Sequence, residues 1–179
     1  MKTTQILIAG FGGQGILFAG KFLAYKGLME DKQLSWLPSY GPEMRGGTAN
    51  CSVILSEDPV GSPIITEPDV LIAMNLPSLQ KYVDTVAPGG QIYVDSALID
   101  AKVERTDVQV FYIPATQMAK DAGIATLANM IIVGHLLQNH PELDFTGADA
   151  VVNKLVPPKK AALVELNMKA LTMGKEYAQ

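Results

Sequence analysis

Gln5-Ile-Leu-Ile-Ala-Gly-Phe-Gly-Gly-Gln-Gly-Ile-Leu-Phe-Ala-Gly20 joins an apolar run to a cluster of glycines and then to an apolar pattern of helical spacing. Gln5 to Ala9 is nearly continuous in apolar residues and stops at glycine, as a buried central strand does. Ile16, Ala19 and Leu23 recur at helical spacing, Gly20 beside them permits close packing, and Gly27 supplies a stop. The chain therefore opens as strand, glycine-rich turn and helix. Gly10, Gly12 and Gly15 satisfy G-x-G-x-x-G in the context that gives the pattern meaning, directly after a strand and opening a helix. Gly10, Gly12, Gly13, Gln14 and Gly15 are candidate binding residues, because glycines allow tight backbone geometry and a helix N-terminus offers free N–H groups to an anion.

The pattern has three readings: a structural turn, a phosphate- or partner-binding loop, or a dinucleotide site. A dinucleotide-binding domain needs an acidic residue at the end of its second strand to hold the ribose hydroxyls. The second strand here, Gln33 to Leu37, ends in Pro38, Ser39 and Tyr40 with no carboxylate. Glu30 and Asp31 precede that strand and belong at its opposite end. This counts against NAD.

Outward from this start, Thr48 to Leu55 reads as a third strand. The loop between strands two and three is too short for a helical crossover, so the two should run antiparallel in a mixed sheet. Asp58 to Pro68, with three prolines and a glycine, is irregular. Val70 to Met74, Gln91 to Asp95 and Val108 to Ile113 are further strands, and Pro77 opens a helix to about Val86. Asn129 to Leu137 is apolar nearly all round, which predicts a buried helix, with Gly134 allowing a neighbour to approach. Thr146 and Asp149 have capping-box spacing for a helix to about Leu155, and Pro158 starts a terminal helix with a Val164, Met168, Leu171 stripe. The expectation is a three-layer α/β/α domain spanning residues 1–179, with a mixed, mostly parallel sheet and a Rossmann-like strand–glycine loop–helix start.

Pro38-Ser-Tyr-Gly-Pro-Glu-Met-Arg-Gly-Gly47 holds Ser39, Tyr40, Glu43 and Arg45 in a loop stiffened by two prolines and loosened by three glycines. A turn needs one or two such residues, so a shaped binding surface is the functional reading. Arg45 could clamp a phosphate or carboxylate, or simply form a surface ion pair; Ser39, Tyr40 and Gly46 complete the candidates in this loop. Asn75 and the pair Asp95, Ser96 follow strands whose ends should converge on the glycine loop, although capping a helix suits all three. His135 and His140 show no ligand spacing. No nucleophile elbow, Ser/His/Asp set or paired-carboxylate pattern is present.

With 48% hydrophobic and 18% charged residues, the chain suits one globular core. A net charge of −4 disfavours nucleic acid. Cys51 is the one cysteine, which excludes a disulfide within the chain and an iron–sulfur cluster built from its thiolates alone. Its apolar setting, Ala49 to Leu55, predicts packing rather than reactivity. No apolar run is long enough to span a bilayer and no signal cleavage pattern follows the first strand, so a soluble, cytoplasmic protein is expected.

Residues 10–20, reading GFGGQGILFAG, resemble the opening of the gamma subunit of the 2-oxoacid:ferredoxin (acceptor) oxidoreductases. PSYGPEMRGGTAN, from Pro38 to Asn50, resembles the second motif of that family in its 2-oxoglutarate type. Pro68 to Asn75 resembles its third block, and Asn129, Met130 and Gly134 its late buried helix. The resemblance implies a complex that decarboxylates a 2-oxoacid with coenzyme A, giving acyl-CoA, carbon dioxide and reduced ferredoxin. It implies thiamine diphosphate and iron–sulfur clusters on alpha, beta and ferredoxin-like partner subunits, and for this chain an assembly or coenzyme A-site role without catalysis of its own. The alternative from the residues alone is a free-standing nucleotide- or flavin-binding module.

Overall fold

A computed structural model of the chain describes residues 2–39 and 48–178. Tyr40, Glu43, Arg45 and Gly46, expected in the second binding loop, lie outside the described residues.

A six-stranded sheet runs in the order β2-β3-β1-β4-β5-β6. Its central strand β1, Thr3–Phe11, is followed by α1, Ile16–Met29. β2, Gln33–Ser39, and β3, Thr48–Ser56, then form an antiparallel pair, as the short connection requires. β3 also runs antiparallel to β1. β4, Val70–Ala73, β5, Gln91–Asp95, and β6, Gln109–Ile113, extend the other side, every neighbour from β1 to β6 parallel. Only β3 opposes the rest.

The helices are α2, Leu76–Tyr82, α3, Ala115–Asp121, α4, Ala128–Asn139, α5, Ala148–Leu155, and α6, Ala162–Glu176. They cover the two faces unequally. Ile6, Ile8, Val53, Val70 and Ile72 face a large core built with α1, α3, α4, α5 and α6. Leu7, Leu71, Ile92 and Val94 face a smaller one with Leu79 of α2, Val86 and Ile99. Alternate residues of one strand thus feed opposite cores, the period of two expected of a strand covered on both sides. Among the described residues no helix is long and apolar enough to cross a membrane.

Four local expectations are corrected. β2 does not stop at Pro38 but continues to Ser39. It is an edge strand, where a missing N–H is tolerated. α1 runs past Gly27, whose missing side chain instead lets Leu55 of β3 approach. α5 begins on Gly147 in a left-handed conformation with no side-chain cap, so Thr146 and Asp149 form no capping box. The Thr146 carbonyl instead accepts a hydrogen bond at 2.9 Å from Lys26, which is buried beside Glu30 and Asp144 and staples α1 to the turn before α5. Pro158 opens a short 3-10 turn, and α6 proper starts at Ala162.

α4 is buried from Ala128 to Leu137, as its apolar sequence predicts. A methyl on Gly134 would overlap the backbone of Leu171 in α6, and one on Gly174 would overlap that of Ile131 in α4. The two helices approach each other through this reciprocal pair of glycines.

Candidate functional site

The registers bring the chemically distinctive residues to one end of the sheet. Phe11 pairs with Thr48 and Ser39 with Asn50, and Ala9 pairs with Ala73, one residue before Met74 and two before Asn75. Asp95 ends β5 beside Ile113. The chain leaves β1 through α1 on one face of the sheet and leaves β4 through α2 on the other. The crevice between β1 and β4 is therefore a topological switch point at the carboxyl ends of parallel strands, the place where open α/β sheets bind ligands.

The glycines here do different things. Gly13, at φ +89°, and Gly15, at φ +73°, occupy backbone conformations that other residues adopt only with strain. At Gly13 an added methyl would meet no atom within 4 Å, so its surface is open. At Gly15 it would run into the Asn129 carboxamide, and at Gly10 into Gln14, Ile16 and Met74. Gln14 is a brace: its Oε1 accepts from the Phe11 N–H at 2.6 Å, and its Nε2 donates to the Met74 carbonyl at 2.9 Å. It ties the loop to the end of β4. Asn129, in the first turn of α4, donates from Nδ2 to the Gly15 carbonyl at 3.0 Å and holds the loop from the other side. α1 begins on Gly15 with no side-chain cap. The N–H groups of a helix's first turn have no acceptor within the helix, so this start suits a phosphate or carboxylate.

Three cavities surround this loop. One of about 280 Å³ is lined by Phe11, Gly12, Gly13, Gly15, Leu17 and Phe18 among others. One of about 150 Å³ lies between Gly13, Gln14, Met74, Leu98, Thr116 and Thr126. The third, about 220 Å³, is walled by Gly15, Phe18, Asn129, Lys160, Leu163 and Asn167. Asn129 and Asn167 are each 3% exposed, and the Oδ1 of each has no hydrogen-bond partner among the described residues.

The polar residues at the other strand ends are committed to structure. Asn75 caps α2, its Oδ1 accepting from the Ser78 N–H at 2.8 Å, while its buried Nδ2 has no partner among the described residues. Asp95 is fully buried and accepts from the Ala97 N–H and from both the N–H and the hydroxyl of Thr116, which anchors the start of α3 to β5. Burial pushes its carboxyl up, and the hydrogen bonds from Thr116 and Ala97 work against that. Ser39 is two strands from β1 across β3, about 10 Å at ordinary strand spacing, beside Asn50, which donates to the Tyr82 hydroxyl. Cys51 is buried against α1, and burial pushes its thiol up to about 12. It is not a nucleophile near neutral pH.

The dinucleotide reading is weakened further by the sheet. Antiparallel β3 occupies the place beside β1 that a dinucleotide fold gives to its second parallel strand. Glu30 and Asp31 sit at the far end, since Gln33 and Thr3 share the partner Ser56. Thr116, Thr126, Lys160 and Asn167 were not expected in the site. Thr116 had a signal, as Pro114 could have marked the start of α3. For Lys160 and Asn167 no local pattern indicates that α6 folds back to the start of α1.

Comparison with known proteins adds the family. The model of pyruvate ferredoxin/flavodoxin oxidoreductase matches residues 5–177. The ketoisovalerate oxidoreductase subunit VorA of Methanothermobacter thermautotrophicus is 38% identical over 179 residues, 98% of this chain but 36% of VorA. The chain thus spans little more than a third of that curated relative. The gamma subunit of a keto/oxoacid ferredoxin oxidoreductase from Geobacter sulfurreducens has 32% identity and a TM-score of 0.82, over 97% of this chain and 96% of that one. A 2-oxoglutarate:ferredoxin oxidoreductase from Magnetococcus marinus, solved with 2-oxoglutarate, coenzyme A and succinyl-CoA bound, gives a TM-score of 0.84 at 25% identity, over 98% of this chain and 31% of that one.

Proposed function

This chain belongs to the pyruvate ferredoxin/flavodoxin oxidoreductase family, and from that premise we propose that it is the gamma-type subunit of a 2-oxoacid:ferredoxin oxidoreductase. The observation that carries the reading is the likeness to a gamma subunit over nearly the whole of both chains. In this reading partner polypeptides hold thiamine diphosphate and the iron–sulfur clusters, and the cytoplasm is the setting. The complex converts a 2-oxoacid and coenzyme A to acyl-CoA, carbon dioxide and reduced ferredoxin.

The chain's own part is assembly and a share of the coenzyme A site. The uncapped start of α1 and the open surface at Gly13 suit a phosphate group held by backbone N–H groups. Gly10, Gly12, Gln14 and Gly15 shape that loop, Asn75 fixes the neighbouring strand end, and Ser39, Tyr40, Arg45 and Gly46 belong to the second loop. Arg45 is its one arginine and the natural bidentate partner for a phosphate. The PSYGPEMRGG motif favours 2-oxoglutarate, and the 38% identity with VorA favours the branched substrate ketoisovalerate.

The test is the native complex assayed for coenzyme A-dependent reduction of ferredoxin with each 2-oxoacid. Under this reading Arg45→Ala raises the KM for coenzyme A by about tenfold, the loss of one charge-assisted contact, with the KM for the 2-oxoacid unchanged. Unchanged coenzyme A kinetics would leave assembly as the chain's role. The free-standing module reading instead requires that NAD, FAD or FMN raise the melting temperature of the isolated chain.

A further inference from the structure

We propose that the cavity at the amino ends of β4, β5 and β6 is a binding site for a small zwitterion, an α-amino acid. The inference stands apart from the subunit reading and from the glycine loop, which lies at the opposite end of the sheet.

The cavity holds about 420 Å³ and is lined by Asp69, Gly89, Gln91, Gln109, Asn139 and His140 among others. Asp69 stands just before β4, Gln91 opens β5 and Gln109 opens β6. Asn139 ends α4 and His140 follows it. The floor is fixed in place by Gln91, which is 7% exposed. Its Nε2 donates to Gln109 Oε1 at 3.0 Å and to the Asn139 carbonyl at 3.2 Å, while its Oε1 accepts from the Tyr93 hydroxyl at 3.0 Å. Gly89 sits at φ +80°, and a methyl there would meet no atom within 4 Å, so the turn leaves its backbone open.

Two sets of polar groups remain in the wall, with opposite demands. The first set accepts. Asp69 takes the Gln5 N–H on Oδ2 at 2.8 Å, which leaves Oδ1, and Asn139 donates from Nδ2 to the His135 carbonyl at 2.8 Å, which leaves its own Oδ1. The C-terminus of α4, which forms part of the same wall, also favours positive charge. The second set donates. Gln109 is engaged through Oε1, which leaves its Nε2. His140 accepts the Glu142 N–H on Nδ1 at 3.2 Å, which places the proton of the neutral ring on Nε2. Burial keeps that ring below the ordinary histidine value, with Lys32 acting the same way and the charges of Glu142 and Asp69 acting against them.

These demands select the ligand class. A simple anion would meet Asp69, and no lysine or arginine lines the cavity to offset it. A metal ion would find one carboxylate, and among the described residues no three His, Cys, Asp or Glu are grouped to hold one. A plain amine would leave the Gln109 and His140 donors without acceptors. A zwitterion answers both sets at once, its ammonium on Asp69 and Asn139 and its carboxylate on Gln109 and His140.

The test is calorimetric titration of the full chain with glycine, L-valine and L-glutamate, each beside a compound lacking one charge: acetate, isobutylamine and glutarate. At least one amino acid should bind saturably, and the single-charge compounds about tenfold more weakly or not at all. Asp69→Asn should weaken that binding by about tenfold, the loss of one charge-assisted contact. Gln109→Glu sets a carboxylate against that of the ligand and should weaken it by about as much. Gln109 is exposed at a strand start, and glutamate still accepts from Gln91, so this variant keeps the test decisive if Asp69→Asn lowers the melting temperature. Amide NMR shifts on titration should appear at Gly89, Gly90 and His140 and be absent at Gly13 and Gly15. No saturable binding of any of the three amino acids overturns the proposal, as does binding that neither variant weakens or shifts that appear elsewhere. Isobutylamine bound as tightly as L-valine, and more tightly still by Gln109→Glu, would make the site one for amines and overturn the zwitterion. None of these outcomes bears on the subunit reading.

Discussion

Gly15 meets two constraints, and Gly13 shares only one of them. Both have positive φ, but only at Gly15 would a methyl group meet a neighbour, the Asn129 carboxamide that clamps the loop. Gly13→Ala should therefore lose only the backbone cost, about 1 kcal/mol. Gly15→Ala should lose that and the Asn129 contact, about 2 kcal/mol or more. Chemical denaturation of the two variants checks the order, and equal losses would mean that Asn129 does not hold the loop. At this scale the sequence located the loop better than it explained it. The four glycines and Gln14 were visible as a loop before a helix, because spacing is local information. That Gln14 braces the loop to Met74, and that Asn129 grips it from 114 residues away, depends on tertiary contacts no local pattern carries.

Among the elements, α4 and α6 decide how the helical layer packs. Gly174→Ala puts a methyl into the Ile131 carbonyl and the first atoms of the next turn, backbone that cannot rotate aside. The expected loss is about 3 kcal/mol or more, at the upper end for overpacking, read from the denaturation midpoint at unchanged slope. A loss below about 1 kcal/mol would show that α6 can lift off α4. The apolar run of α4 and the value of Gly134 were legible because a helix buried all round leaves no polar stripe. α3 was not foreseen, since seven residues give too little period to read. The Thr146–Asp149 spacing misled for a related reason. Capping is set by backbone geometry, and Gly147 in the left-handed region takes the cap position that the pattern assigned to Thr146.

For the whole molecule, the sheet order is the decisive fact. A single antiparallel strand beside β1 moves Ser39 and its pair partner Asn50 away from the ribose position of a dinucleotide fold, yet keeps them at the glycine-loop end. Strand–loop–helix order was readable from residues 5–29, and the β2–β3 hairpin from the length of its connection. The insertion of β3 between β1 and β2 was not, because pairing partners distant in sequence leave no mark in composition. The result is a domain whose uncapped helix start and open glycine loop suit, in the reading proposed above, a share in a site completed by other polypeptides. The most direct measurement of that account is the make-up of the native assembly recovered with the tagged chain. A complex containing thiamine diphosphate and iron on other polypeptides, and reducing ferredoxin only when a 2-oxoacid and coenzyme A are both supplied, is the predicted result. A chain recovered alone, without those companions, would contradict it.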